Sequence, residues 1–163
     1  MIVNLSNAAK QRLLFNQSWL YGKLPMDWKR DIVVPILKPG RGADISENYR
    51  PISLTCIPCK IMERIILNRL NFHLTEKNLF PREQYGFRKG HGTIDQILYF
   101  CQYVRDAQNK KPTNHTITVL LDLTKAFDKV WCNKLISKLF EEFAISGRAL
   151  PWISDFLSRR QFK

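Results

Sequence analysis

The sequence predicts a mixed α/β fold in which strands and helices alternate, closer to α+β than to a regular repeat. Two short β-branched runs flank a proline- and glycine-rich basic turn, as in a hairpin. Four or five stretches carry apolar residues at helical spacing. Between them lies Ile117–Leu121, an apolar run that stops at Asp122 and is followed by residues able to begin a helix. The chain has 163 residues, 45% of them hydrophobic, enough for one core and too few for two comfortable domains.

Taken in order, Leu5 to Trp19 fits one amphipathic helix, with Gly22 and Pro25 ending it. Trp28 to Lys38 reads as a strand, and Pro35 within it argues for an edge position, because proline donates nothing to a ladder. Lys38-Pro39-Gly40-Arg41-Gly42 is a tight basic turn, and Arg50 to Thr55 a second strand that pairs with the first. Such a hairpin brings Lys38 and Arg50 together at one end, a pair of cations suited to a polyphosphate or simply a solvated basic loop.

Pro58 to Leu70 has helical periodicity, with Pro58 in the first turn, and Phe72 to Leu79 extends or follows it. Phe80 to Gly92 is irregular, rich in glycine, aromatics and positive charge, which fits either a loop lying on a nucleic-acid backbone or a surface loop with a packed aromatic. Thr93 to Ala107 is amphipathic, with Thr93 as N-cap, Asp95 in the first turn, and Ile94, Ile97, Leu98, Cys101 and Val104 as a core face. A polar loop from Gln108 to His115 leads into the strand expected at Ile117–Leu121. That strand would present Asp122 at its carboxyl end, and Thr124 as N-cap would put Asp128 in the first turn of the next helix. A helix with Ile136, Leu139, Phe140 and Phe143 inward, and another over Pro151 to Ser158, complete the chain before a basic tail.

The net charge of +12 calls for an anionic partner. Nucleic acid fits better than membrane, since no segment has the apolar length of a membrane-spanning helix. Basic clusters at Lys29-Arg30, Lys38 to Arg41, Arg88-Lys89 and Arg159-Arg160 are the candidate phosphate contacts. Residues Met1 to Lys10 lack the apolar core of a signal peptide, so an intracellular protein of cytoplasm or nucleus is expected. Cys56 and Cys59 form a CxxC, but no second pair or histidine pair follows at finger spacing, and free thiols in a reducing compartment are expected.

Several motifs stand in one order along the chain. They are Leu24-Pro25 with Trp28-Lys29, Pro35 to Gly40, Tyr49-Arg50-Pro51-Ile52-Ser53-Leu54, Lys60 with Glu63, Gln84-Tyr85-Gly86-Phe87-Arg88, Leu121-Asp122-Leu123-Thr124-Lys125-Ala126-Phe127-Asp128, and Trp152 with Phe156-Leu157 and Arg159-Arg160. In this order they resemble the reverse transcriptases of non-LTR, LINE-type retrotransposons, especially the jockey-like group. The resemblance implies the fingers and partial palm of a right-hand polymerase, with a fingers-like part over 1–84 and a partial palm over 85–163. It implies that Asp122 and the backbone carbonyl of Leu123 bind magnesium, and that Lys38, Arg50, Lys125, Ala126 and Phe127 bind the incoming deoxynucleoside triphosphate. Phe127 would exclude a 2′-hydroxyl. Gln84, Gly86, Phe87 and Arg88 would lie along the RNA template and DNA primer or target, and Asp128 would be structural.

Two-metal chemistry needs more than one carboxylate, and the sequence contains no two adjacent aspartates. The resemblance therefore implies the front part of a catalytic domain, without the acidic hairpin and thumb and inactive by itself. A non-catalytic basic nucleic-acid-binding module, such as a decayed element remnant, is the alternative.

Overall fold

The computed structural model describes residues 6–110 and 115–163. Leu5, where the first helix was expected to begin, and most of the polar linker before His115 lie outside them. The elements are α1 (Asn7–Tyr21), β1 (Arg30–Leu37), β2 (Tyr49–Leu54), α2 (Ile57–Glu76), α3 (Thr93–Gln108), α4 (Cys132–Glu141), α5 (Ala149–Leu157) and β3 (Gln161–Phe162). This is the mixed α/β architecture expected of part of a reverse transcriptase fold. Two compact units divide it, one of residues 1–73 with 130–163 and one of residues 74–129.

In the first unit, Ser6 caps α1 by accepting the Ala9 N–H at 3.3 Å. Gly22 ends the helix at φ 60°, a left-handed cap that glycine adopts without cost. A side chain there would also meet Pro151, whose Cβ is 3.0 Å from where a Cβ would stand. The adjoining Trp152 donates its indole N–H to Ser18 Oγ at 3.0 Å, and Ser18 Oγ in turn donates to the Lys23 carbonyl at 2.8 Å. The indole N–H and the Ser18 hydroxyl, both taken from water at this contact, thus each have a partner. Around this contact Leu24, Trp28, Cys59, Met62, Ile66 and Trp152 form the core, flanked by Phe15, Trp19 and Phe156.

The sheet has the order β2-β1-β3. β1 and β2 are antiparallel, with Ile36 opposite Arg50 and Leu37 opposite Tyr49. β1 is therefore the middle strand, contrary to the edge position that Pro35 suggested. Proline is tolerated there for a local reason. Lys38 N–H reaches the Asn48 carbonyl of the hairpin, whereas Val33 N–H points the other way, to the Lys163 carbonyl. By alternation Pro35 faces the same side as Val33, and β3 pairs only with Arg30 and Asp31, so no ladder bond is asked of it.

In the second unit Gly92, not Thr93, is the N-cap residue of α3, and Asp95 Oδ2 accepts the Gly92 N–H at 2.7 Å. The apolar face of α3, expected as core, is exposed: Ile97 is 55% and Leu98 62% accessible. Periodicity identified the face but not what covers it.

The strand expected over Ile117–Leu121 does not form. These residues have no ladder partner among the described residues, and Leu120 and Leu121 are 91% and 89% exposed. A β-run without a partner gains neither hydrogen bonds nor burial. The helix expected from Thr124 is also absent. Residues 124–129 form turns, Lys125 has φ 54°, and α4 begins only at Cys132. Helix nucleation is costly, and the exposed Phe127 recovers nothing through packing.

Candidate functional site

Lys38 and Arg50 do converge. Cross-strand partners share a face, and residues two apart on one strand share it too, so Ile36, Lys38 and Arg50 stand on one side of the hairpin, the two cations diagonal to each other. Their end of the sheet is braced. Tyr49 donates its hydroxyl to the Ala43 carbonyl at 3.1 Å, Asn48 Nδ2 donates to the Gly42 carbonyl at 2.9 Å, and Arg41 N–H donates to the Lys38 carbonyl at 3.2 Å. Lys38 Nζ donates to the Glu47 carbonyl at 2.8 Å, which uses one of its three donors and fixes the ammonium. Arg50 is exposed. The result is a rigid basic corner.

The Phe80–Gly92 loop of the second unit is also internally braced. Arg88 donates to the Pro81 carbonyl at 3.3 Å and lies 5.5 Å from the Phe80 ring centroid, and Gln84 Nε2 donates to the Gly86 carbonyl at 3.4 Å. Phe87 is 97% exposed with φ 59°. A phenylalanine in the left-handed region is strained in its backbone, and with its ring in solvent it gains no burial to offset that, a pattern found at binding loops.

Asp122, Leu123, Ala126 and Phe127 are all exposed on the 122–130 segment. The Lys125 carbonyl accepts from both Asp128 N–H at 3.1 Å and Lys129 N–H at 3.2 Å, so Asp128 supports the turn through its backbone and not at a helix start. Among the described residues no three histidine, cysteine, aspartate or glutamate side chains gather as a ligand set for a metal. Asp122 and the Leu123 carbonyl are two oxygen donors, which is fewer than an octahedral magnesium site requires, let alone a pair.

Two expected phosphate contacts are redirected by the fold. Lys29 is 4% exposed, and its ammonium stands 2.8 Å from Asp155 Oδ1, while Asp155 Oδ2 accepts the Leu24 N–H at 2.8 Å. Arg160 is bound bidentately by Asp31. A buried charge demands a counter-charge, here the Lys29 ammonium in one pair and the Asp31 carboxylate in the other, and each is paired within the chain before any ligand arrives. Asp155 and Asp31 were overlooked in the sequence. The readable signal for Asp31 was an acid at the head of an apolar strand, on the side opposite the exposed Ile32 and Val34.

Beside this pair, Cys59 Sγ lies 3.7 Å from Glu63 Oε1. Burial pushes the Cys59 thiol up to about 12, with the Glu63 and Cys56 charges adding to it. Burial also raises Glu63 above the usual carboxylate range, against the lowering effect of Arg160.

Compared with known proteins, residues 36–163 match the family Reverse transcriptase (RNA-dependent DNA polymerase). Over 92% of its length the chain is 37% identical to a probable RNA-directed DNA polymerase from transposon BS of Drosophila melanogaster. Over the same share it is 36% identical to the RNA-directed DNA polymerase from mobile element jockey of that organism. A further relative, the Drosophila funebris jockey polymerase, is 32% identical, again over 92% of the chain. The chain spans 16% of the length of these relatives.

Proposed function

The chain belongs to the reverse transcriptase (RNA-dependent DNA polymerase) family, and from that premise we propose that it forms the nucleotide- and template-binding front of an RNA-directed DNA polymerase of a jockey-like non-LTR retrotransposon. Enzymes of this family in general use divalent metal ions, an RNA template and nucleotide substrates. The observation that carries the proposal is one continuous family match that takes in the basic corner of Lys38 and Arg50, the Gln84–Arg88 loop and Asp122.

Each of these groups has a role that its chemistry supports. Lys38 and Arg50 attract the triphosphate of a deoxynucleotide, the lysine as a point charge and the arginine through its planar fork. Phe127, with Lys125 and Ala126 beside it in sequence, supplies a bulky ring that selects against a 2′-hydroxyl. Gln84, Gly86, Phe87 and Arg88 follow the strands of an RNA template and DNA primer. Asp122, with the Leu123 carbonyl, would contribute two oxygen ligands to a magnesium ion, which would supply charge stabilisation for nucleotidyl transfer once other carboxylates complete the set. Further carboxylates are required for that step, and the 163 residues alone bind nucleic acid without extending a primer.

The test is primer extension on an RNA template by a polymerase of the relatives' length that contains these residues. Asp122→Asn is expected to abolish extension while template–primer binding and the circular dichroism spectrum stay unchanged. Extension at the parent rate would overturn the assignment.

A further inference from the structure

Between the Phe80–Gly92 loop and the first turns of α3 lies a cavity of about 820 Å³, lined by Gln84, Tyr85, Phe87, His91 and Gln96 among others. Its size falls within the range of small-ligand clefts, roughly 300–1,000 Å³. Three features distinguish it from an ordinary surface groove.

The Tyr85 ring is half-buried and held by two neighbours, His91 edge-on at 5.3 Å and Tyr99 tilted at 6.3 Å. An aromatic fixed in this way has already lost the rotamer freedom that stacking would otherwise cost. Gln96 Oε1 is buried without a hydrogen-bond partner. A buried carboxamide oxygen without a partner is unfavourable until something pairs with it, and by turning about its last bond the group can present either a donor or an acceptor. Around the cavity the loop carries Arg82, Arg88 and Lys89 against a single acid, Glu83.

We propose that this cavity receives one unstacked nucleobase of a bound strand, with Tyr85 as the stacking face and Gln96 as the reader of the base edge. The inference rests on the nucleic-acid-binding reading given above and adds a base-reading subsite to it. A carboxamide pairs bidentately with the donor and acceptor that adenine offers side by side at N6 and N7, and the two-ring face of adenine covers more of Tyr85 than the single ring of uracil does, so adenine is preferred over uracil. The loop cations hold the flanking phosphates.

The test is binding of oligonucleotides of about six residues, within the site size of single-strand grooves, to the 163-residue chain by fluorescence anisotropy over a range of salt. Oligoadenylate, oligouridylate and a fully abasic oligomer of equal phosphate number are compared. Oligoadenylate is expected to bind tightest. Tyr85→Leu should weaken it to the level of the abasic oligomer, a loss of about 5- to 150-fold if one stacked base is at stake. Tyr85→Phe should retain the affinity, and Gln96→Leu should weaken oligoadenylate while leaving the abasic oligomer unchanged. The salt slope should be the same in every variant. If circular dichroism shows Tyr85→Leu unfolded, Gln96→Leu decides.

Equal affinity of the parent for oligoadenylate and abasic oligomer, with a steep salt slope, overturns the base subsite and leaves the phosphate reading standing. A base preference untouched by Tyr85→Leu and Gln96→Leu also overturns it. Displacement of the oligomer by free adenosine monophosphate at comparable concentration would make this a mononucleotide site, against the proposal. Absence of any salt-dependent binding refutes the functional reading itself.

Discussion

Arg160 grips Asp31 with two parallel hydrogen bonds, Nε to Oδ2 at 2.8 Å and Nη2 to Oδ1 at 2.7 Å, across 129 residues of sequence. Only 1% of the Asp31 side chain and 14% of the Arg160 side chain reach solvent. The guanidinium also lies 4.5 Å from the Phe156 ring centroid and donates to the Phe156 carbonyl at 3.3 Å. The pair fixes β3 beside the start of β1, the strand that leads to Lys38.

Removing one member leaves the other charge buried without a partner. Asp31→Ala should destabilise the chain by about 3–5 kcal/mol, read from the urea midpoint, while Asp31→Leu combined with Arg160→Met should recover most of the loss. A single-variant cost below about 1 kcal/mol, the range of exposed pairs, would mean that solvent reaches the pair.

Glu63 has its pKa raised in the folded state, so folding favours its protonated form. Stability from this group is fully present below the ordinary carboxylate pKa of 4.5 and is lost as pH rises through the folded value. Glu63→Gln, which keeps the neutral shape, should therefore raise the melting temperature at pH 7 and leave it nearly unchanged at pH 4. Equal shifts at both pH values would show that packing, not charge, sets the difference.

Cys59 follows the same sign. Its thiol titrates near 12 instead of 9.0, so stability should fall as pH climbs between those values, because the unfolded chain releases the proton first. At neutral pH Cys101 and Cys132, both exposed, should alkylate rapidly while Cys59 stays unlabelled until the chain unfolds. Mass spectrometry of the labelled peptides reads this order directly, and early labelling of Cys59 would contradict it.

Phe127 is 84% exposed, so Phe127→Ala should change the stability of the 163-residue chain by no more than about 0.5 kcal/mol. In a complete polymerase the same change should lower discrimination against ribonucleotides by about 10- to 200-fold, the range of selection by pocket shape. Matched incorporation of deoxy- and ribonucleotides decides it. Parent-level selectivity in an active variant would remove Phe127 from the sugar-selecting role.

Local chemistry written in the sequence determined much of this protein. Gly22 ends α1, the basic turn from Lys38 to Gly42 joins β1 to β2, Pro58 sits in the first turn of α2, and Gly147 separates α4 from α5. Each depends on backbone preferences within a few residues, which travel with the sequence wherever it folds. The family motifs were readable for the same reason, as short strings in a set order.

What tertiary structure decided was which faces are covered and which charges meet. The apolar periodicity of α3 and of Ile117–Leu121 is real, yet both are exposed here, because burial needs a partner surface that periodicity does not name. Lys29 and Arg160 looked like ligands for phosphate and proved to be paired with Asp155 and Asp31, since a charge taken out of water, Lys29 in one pair and Asp31 in the other, recruits its counter-charge from anywhere in the chain. The unpartnered carboxamide oxygen of Gln96, in the same cavity as Tyr85, likewise depends on how the Phe80–Gly92 loop folds onto α3, a relationship between segments that no single stretch of sequence contains.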